Sequence, residues 1–170
     1  DLPQLPPADI AICALGTTIR QAGTQAAFRA IDEEAVSSFA KAAKAAGVDH
    51  FLVVTAVGAS PDASIFYSRV KGQTEDQLMM MGFKRLDIIR PGLLLGDRKE
   101  RRPIELLLQH IAPATDLLMR GKWRRYRSVQ AADAAHCLLG LAASNEPGVY
   151  IHHFDDIMKV LQSPLQDVTK

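Results

Sequence analysis

An α/β protein built on a doubly wound parallel sheet is the fold class this sequence predicts, and three observations predict it. Short apolar runs at residues 9–15, 50–55 and 86–89 each end at glycine, threonine or a proline-glycine pair. Stretches with helical spacing separate them, so strands and helices alternate, and that alternation implies a parallel sheet. The runs are nearly continuous rather than alternating in polarity, which suits strands covered on both faces.

The elements follow in order. Asp9-Ile10-Ala11-Ile12-Cys13-Ala14-Leu15 reads as a strand buried on both faces and closed by Gly16, with a polar connection over 17–23. From 31 to 46, Val36, Phe39, Ala40, Ala43 and Ala46 recur at helical spacing, and Gly47 stops the helix. Residues 50–55 form the second strand, rich in β-branched and aromatic side chains. A helix over about 66–81 ends at Gly82, and the strand at 86–89 ends at Arg90-Pro91-Gly92. A polar and basic stretch, 96–102, leads to a helix opening at Pro103, a residue suited to a first helical position. Another helix is predicted over 128–144, then a turn at Asn145-Glu146-Pro147-Gly148 and a last strand at 149–152. The whole chain, 1–170, reads as a single domain.

Charge excludes more than it indicates. Twenty Lys and Arg against 19 Asp and Glu leave a net charge of +1, so no global field draws the chain to nucleic acid or an anionic membrane. Apolar runs such as 93–95 and 106–108 fall far short of the roughly 20 residues that cross a bilayer, so no membrane partner is expected. Residues 1–7 hold no secretion signal, and a cytoplasmic location is the expectation. Cys13 and Cys137 sit far apart in apolar stretches, as reduced, buried thiols do.

Tyr67-Ser68-Arg69-Val70-Lys71 is the strongest chemical signal. Four-residue spacing puts Tyr67 and Lys71 on one helical face. An ammonium beside a phenol favours the phenolate, so Tyr67 is a candidate general acid or base and Lys71 its partner and a donor to a ribose hydroxyl. In an open α/β sheet ligands bind at the carboxyl ends of the strands, where Gly16, Thr55 and Pro91 lie.

Four segments, Cys13-Ala14-Leu15-Gly16-Thr17-Thr18, Val54-Thr55-Ala56-Val57-Gly58-Ala59, Tyr67-x-x-x-Lys71 and the run from Ile89-Arg90-Pro91-Gly92 to Gly96-Asp97-Arg98, resemble the atypical short-chain dehydrogenase/reductase superfamily in the right order. The resemblance is nearest to the Tat-interacting, oxidoreductase-like branch and its bacterial relatives, and covers roughly residues 10–157. It implies a Rossmann sheet and an NADP cofactor, with NAD as the alternative. It further implies that Tyr67 gives a proton to a small-molecule carbonyl substrate, that Lys71 holds the nicotinamide ribose and that Thr55 orients the carbonyl. Leu15, Gly16 and Thr17 would pass beside the adenosine half, and Pro91 and Gly92 would lie near the carboxamide. The superfamily's dimers and tetramers leave a homo-oligomer open.

Two departures stand out. Thr55-Ala56 occupies a position where serines are common in the family. The glycine-rich turn that cradles a pyrophosphate does not occur, so the chain reads as the family without its first strands and helices. A dinucleotide-binding regulatory or scaffold protein with little turnover is therefore the alternative to an NADP-dependent reductase.

Other features have plainer readings. The basic stretches at 98–102 and 120–127, the latter with Trp123 and Tyr126, are read as solvated loops rather than a nucleic-acid surface, with one arginine meeting an anionic substrate as an intermediate reading. Consecutive His152 and His153 point to opposite faces of a strand and no ligand set accompanies them, so no metal site is assigned. Met79-Met80-Met81 reads as an adaptable, partly buried helix end.

Overall fold

A computed structural model describes residues 5–96 and 119–163. The main sheet holds β1 (Ile10–Cys13), β2 (His50–Val54), β3 (Arg85–Ile89) and a later strand, β6 (Gly148–His152), all parallel and in the order β1-β2-β3-β6. Sheet order follows chain order, so no reversal falls among the described residues. A second parallel pair joins β4 (Leu94–Leu95) to β5 (Val129–Gln130). The predicted α/β class and parallel sheet are what the chain adopts.

Helices cover both faces. Between β1 and β2 run α1 (Ile19–Ala22), α2 (Gln25–Arg29), a π-helical segment (Ala30–Ala35) and α3 (Val36–Ala45); α4 (Phe66–Met80) links β2 to β3. Val36, Ala40, Ala43 and Leu78 from these helices bury one face against Cys13, Phe51, Val53, Leu86 and Ile88. On the other face α5 (Ala131–Ala142) and α6 (Phe154–Gln162) pack Cys137, Leu138, Leu141 and Ile157 against Leu52 and Ile89. Alternation along each strand sends successive side chains to opposite faces, which is why two cores form.

Local differences from the sequence reading have physical causes. β1 is not buried on both faces: Ile10 and Ile12 are each 39% exposed, because β1 pairs only with β2 and no described helix covers its second face. The polar connection contains α1, capped by the Thr18 hydroxyl, and the next helix starts at Gln25, where the Thr24 hydroxyl accepts from the Ala27 N–H at 3.0 Å. Val129 and Gln130 are drawn into a strand by Leu94 and Leu95, so α5 begins three residues later than predicted. Met80 is 79% exposed, not partly buried. The predicted helix from Pro103 and the 98–102 basic stretch lie outside the described residues.

The π segment aligns the site. Phe28, Asp32, Val36 and Ala40 are all buried at four-residue intervals. On a regular α-helix each such step drifts about 40° around the axis. The wide turn absorbs that drift and keeps Asp32 facing inward between Phe28 and Val36.

Candidate active site

Hydrogen bonds beyond the ends of the strands bring the candidate residues together. Thr55 N–H donates to the Ile89 carbonyl and Val57 N–H to the Pro91 carbonyl, both at 2.9 Å, which lays Thr55-Ala56 beside Pro91-Gly92. The loop after β1 carries Leu15, Gly16 and Thr17 to the same end of the sheet. Gly72 lets α4 press against the preceding loop, since a Cβ there would sit 2.1 Å from the Ser60 carbonyl carbon. The result is a cavity of about 530 Å³ lined by Leu15, Gly16, Thr17, Thr55, Tyr67, Lys71, Pro91 and Gly92 among others. That size and position, at the carboxyl ends of parallel strands, suit a small-molecule pocket. All eight residues singled out in the sequence border this one space.

Their surroundings were not visible in the sequence. Lys71 is buried and its Nζ lies 2.6 Å from Asp32 Oδ1, with Asp32 fully buried. Asp32 Oδ2 accepts the Thr17 N–H at 2.8 Å, tying the β1 loop to the same carboxylate. Thr74 of α4 donates its hydroxyl to the Asp32 carbonyl at 3.0 Å, which fixes the π segment against α4. Gly16 crosses directly over the pair: a Cβ there would be 3.3 Å from Asp32 Oδ1 and 3.4 Å from Lys71 Nζ. A side chain at Gly16 would press on the ion pair, which would have to give by a few tenths of an ångström.

Tyr67 packs its ring against Phe28, with centroids 5.5 Å apart. Burial, and secondarily the charge of Asp32, push its phenol up from the ordinary value of 10.0. The sequence reading had Lys71 favouring the phenolate, and the direction is reversed because burial disfavours the charged form and the Asp32 carboxylate adds to it. Thr55 also has an occupied hydroxyl. It donates to Glu75 Oε1 at 2.5 Å, and Arg90 holds the same carboxylate with its guanidinium fork, Nε lying 3.0 and 3.1 Å from the two oxygens. Gly92 is fixed by chain packing, as a Cβ would come within 2.4 Å of the Tyr126 and Arg127 carbonyl oxygens.

The remaining candidates take structural places. Cys13 and Cys137 are free and buried; burial pushes both thiols up, Cys137 to about 12, so neither is a ready nucleophile. His152 lies 2.6 Å from Asp87, and His153 precedes α6, its N–H donating to Asp156 at 3.2 Å. In the basic segment, a 3₁₀ helix at Gly121–Tyr126 leaves Trp123 exposed while Arg124 pairs with Asp155 at 2.7 Å. Arg124 and Arg127 both lie over the Phe154 ring.

No protein-family model matches the chain. Individual relatives do. Protein FMP52, mitochondrial, of Candida albicans is 32% identical over 162 residues, which are 91% of this chain and 69% of that protein. The chain belongs to the FMP52 family. HTATIP2 of Rattus norvegicus is 42% identical over 99 residues, 58% of this chain and 40% of the relative. FMP52 of Coccidioides immitis is 35% identical over 140 residues, 81% of this chain and 57% of the relative. The chain spans about half the length of the curated relatives it matches. Among solved structures, Bordetella bronchiseptica WbmG in complex with NAD aligns over 91% of this chain and 55% of its own, with TM-score 0.56 and 16% identity. A putative NAD-dependent epimerase/dehydratase from Bacillus halodurans aligns over 91% and 70%, with TM-score 0.58 and 18% identity. These likenesses establish the Rossmann-type α/β fold. They also correct one expectation: the fungal FMP52 relatives are named as mitochondrial proteins, so the cytoplasmic assignment does not stand. Composition and the lack of a long apolar run do not distinguish the two compartments.

Proposed function

We propose that this chain forms the proton-donating side of an NADP-dependent oxidoreductase site that reduces a small carbonyl compound. The observation that carries this reading is that Tyr67 and Lys71 open into one cavity with Gly16, Thr17, Pro91 and Gly92 at the carboxyl ends of β1, β2 and β3. A bound NADPH would supply a hydride to the carbonyl carbon. Tyr67 would give its phenolic proton to the carbonyl oxygen and afterwards regain one from water. Lys71 would hold a ribose hydroxyl through its free N–H donors, since Asp32 engages its ammonium from one side. Pro91 and Gly92 would border the nicotinamide, and Leu15 to Thr17 the remainder of the cofactor. NADP is taken from the family resemblance, and the NAD complexes of the structural neighbours make NAD the competing ligand.

One observation favours a second reading, a dinucleotide-binding module with little turnover. The hydroxyl hydrogen of Thr55 is committed to Glu75, so it is not free to polarise a carbonyl.

Calorimetric titration with NADPH and then NADH tests the cofactor assignment, and its absence for both would overturn it. Given binding, Tyr67→Phe should lower turnover by about 10²–10⁴-fold, the usual worth of a positioned acid, with cofactor affinity nearly unchanged. Unchanged turnover would remove Tyr67 from the mechanism and leave the binding module.

A further inference from the structure

We propose that Asp32 is a positioning residue that holds Lys71 in place and offsets its charge, so that the Tyr67–Lys71 pair works as a neutral proton donor. The inference takes its chemistry from the reductase reading but concerns groups that can be observed in the free protein. Asp32 was not singled out by any motif; its position rests on three contacts. Its carboxylate meets Lys71 Nζ at 2.6 Å, it accepts the Thr17 N–H at 2.8 Å, and its carbonyl accepts the Thr74 hydroxyl at 3.0 Å. β1's loop, the π segment and α4 therefore meet at one residue.

Charge balance around the phenol follows from these contacts. On α4, Lys71 is one turn from Tyr67 and buried, so its field would be strong if it stood alone. Asp32, facing it from the π segment, is equally buried and carries the opposite sign. From β1, Cys13 faces the same pair with a thiol that burial keeps protonated. Arg29 of α2 and Arg69 of α4 lie over the Phe66 ring, at 5.5 and 6.0 Å from its centroid; Arg29 is paired with Glu33, and Arg69 donates to the Ala63 and Ser64 carbonyls. Of the charges on the packed elements, Asp32 is the one that acts on the phenol, and it raises it. Burial and the residual field of Asp32 then keep the proton on Tyr67. A site so arranged holds the phenol in its protonated form, the form from which a carbonyl reduction starts.

The test is a spectrophotometric titration of the free protein, reading phenolate absorbance, with Tyr67→Phe subtracted to isolate Tyr67 from Tyr126 and Tyr150. In Asp32→Asn the Tyr67 transition should move to lower pH, because Lys71 is left uncompensated. Asp32→Glu, which keeps the charge, should restore the wild-type position. An unmoved transition in a folded Asp32→Asn protein would overturn the proposal. Should that variant fail to fold, Asp32→Asn combined with Lys71→Met removes both charges together and should titrate close to wild type. An upward move in the double variant would mean that Lys71 acts on the phenol without compensation, and would equally overturn it. Because the absorbance needs no cofactor, failure of NADPH to bind would refute the reductase reading while the role of Asp32 is still decided by the titration.

Discussion

Each face of the sheet buries one aspartate completely, and the two carboxylates are used in different ways. Asp87, in the middle of β3, faces α5 and α6 and is surrounded. Arg85 grips it with Nε at 2.6 Å and Nη2 at 3.0 Å, while His50 from β2 and His152 from β6 approach at 2.7 and 2.6 Å. An ionised carboxylate can only accept, so both imidazoles must present Nε2–H. Burial alone would raise the Asp87 carboxyl, but hydrogen bonds from His152, His50 and Arg85 overcome it and hold the group well below the usual carboxylate range. Asp32, on the opposite face, has only Lys71 and one backbone N–H on its carboxylate. A carboxylate whose lone pairs are filled from three neighbouring strands is a clamp. One with fewer partners, next to a cavity and a phenol, retains freedom to influence chemistry.

The largest effect should come from breaking the clamp. Asp87→Ala leaves Arg85 buried without its anion, and removing one partner of such a pair costs about 3–5 kcal/mol. The denaturation midpoint should fall accordingly, and a loss below about 1 kcal/mol would mean that Arg85 reaches water and that the clamp is weak. The pH dependence has a definite sign. Because the Asp87 carboxyl is lowered in the folded state, its contribution is complete above its ordinary value near 3.8 and is lost as the pH falls below that. Wild-type stability should therefore fall more steeply with acid than that of Asp87→Asn, and parallel acid limbs would contradict the clamp.

Thr55→Val probes the other side. It removes one hydrogen bond to the buried Glu75 carboxylate but leaves Arg90 in place, so a loss of about 1–3 kcal/mol is expected in chemical denaturation. If the Thr55 hydroxyl orients no substrate, kcat/KM at a temperature where the variant is folded should stay close to wild type. A large fall in kcat would give Thr55 a part in catalysis. The smallest effect is expected at Asp155, whose pair with Arg124 is half exposed on both sides. Asp155→Asn should leave the unfolding midpoint within error, since exposed ion pairs are screened and entropically costly. A clear drop there would show that partnering, rather than burial, decides what a carboxylate contributes.

Much of the fold was legible because its signals are local. Val53, Val54, Ile88 and Ile89 mark buried strands, Gly47 and Gly82 mark helix ends, and Tyr67 and Lys71 announce a shared helix face by spacing alone. Asp32 was not legible. It sits in Ile31-Asp32-Glu33-Glu34, at the start of the predicted 31–46 helix with no local sign of burial, and its partner Lys71 comes from another helix far along the chain. Glu75 and Arg90 were hidden for the same reason, their meaning set by tertiary contact rather than by neighbours in sequence. Asp87 did leave a trace, a lone carboxylate in Leu86-Asp87-Ile88-Ile89, which only a buried partner could justify. The exposure of Ile10 and Ile12 had no local signal, because it depends on what lies beside β1.

The π segment at Ala30–Ala35 makes this protein sensitive to length as well as to residue identity. Deleting a single residue there would let the helix close into a regular, more favourable coil, with the turns on either side kept nearly in phase because the wide turn had absorbed that residue. Phe28 and Val36 would still face inward, but Asp32 would swing about 40–60° off their line. Such a deletion would be tolerated by the helix and punished at the site, so spacing in this stretch should be under selection where its individual exposed residues, such as Glu34, are free to drift.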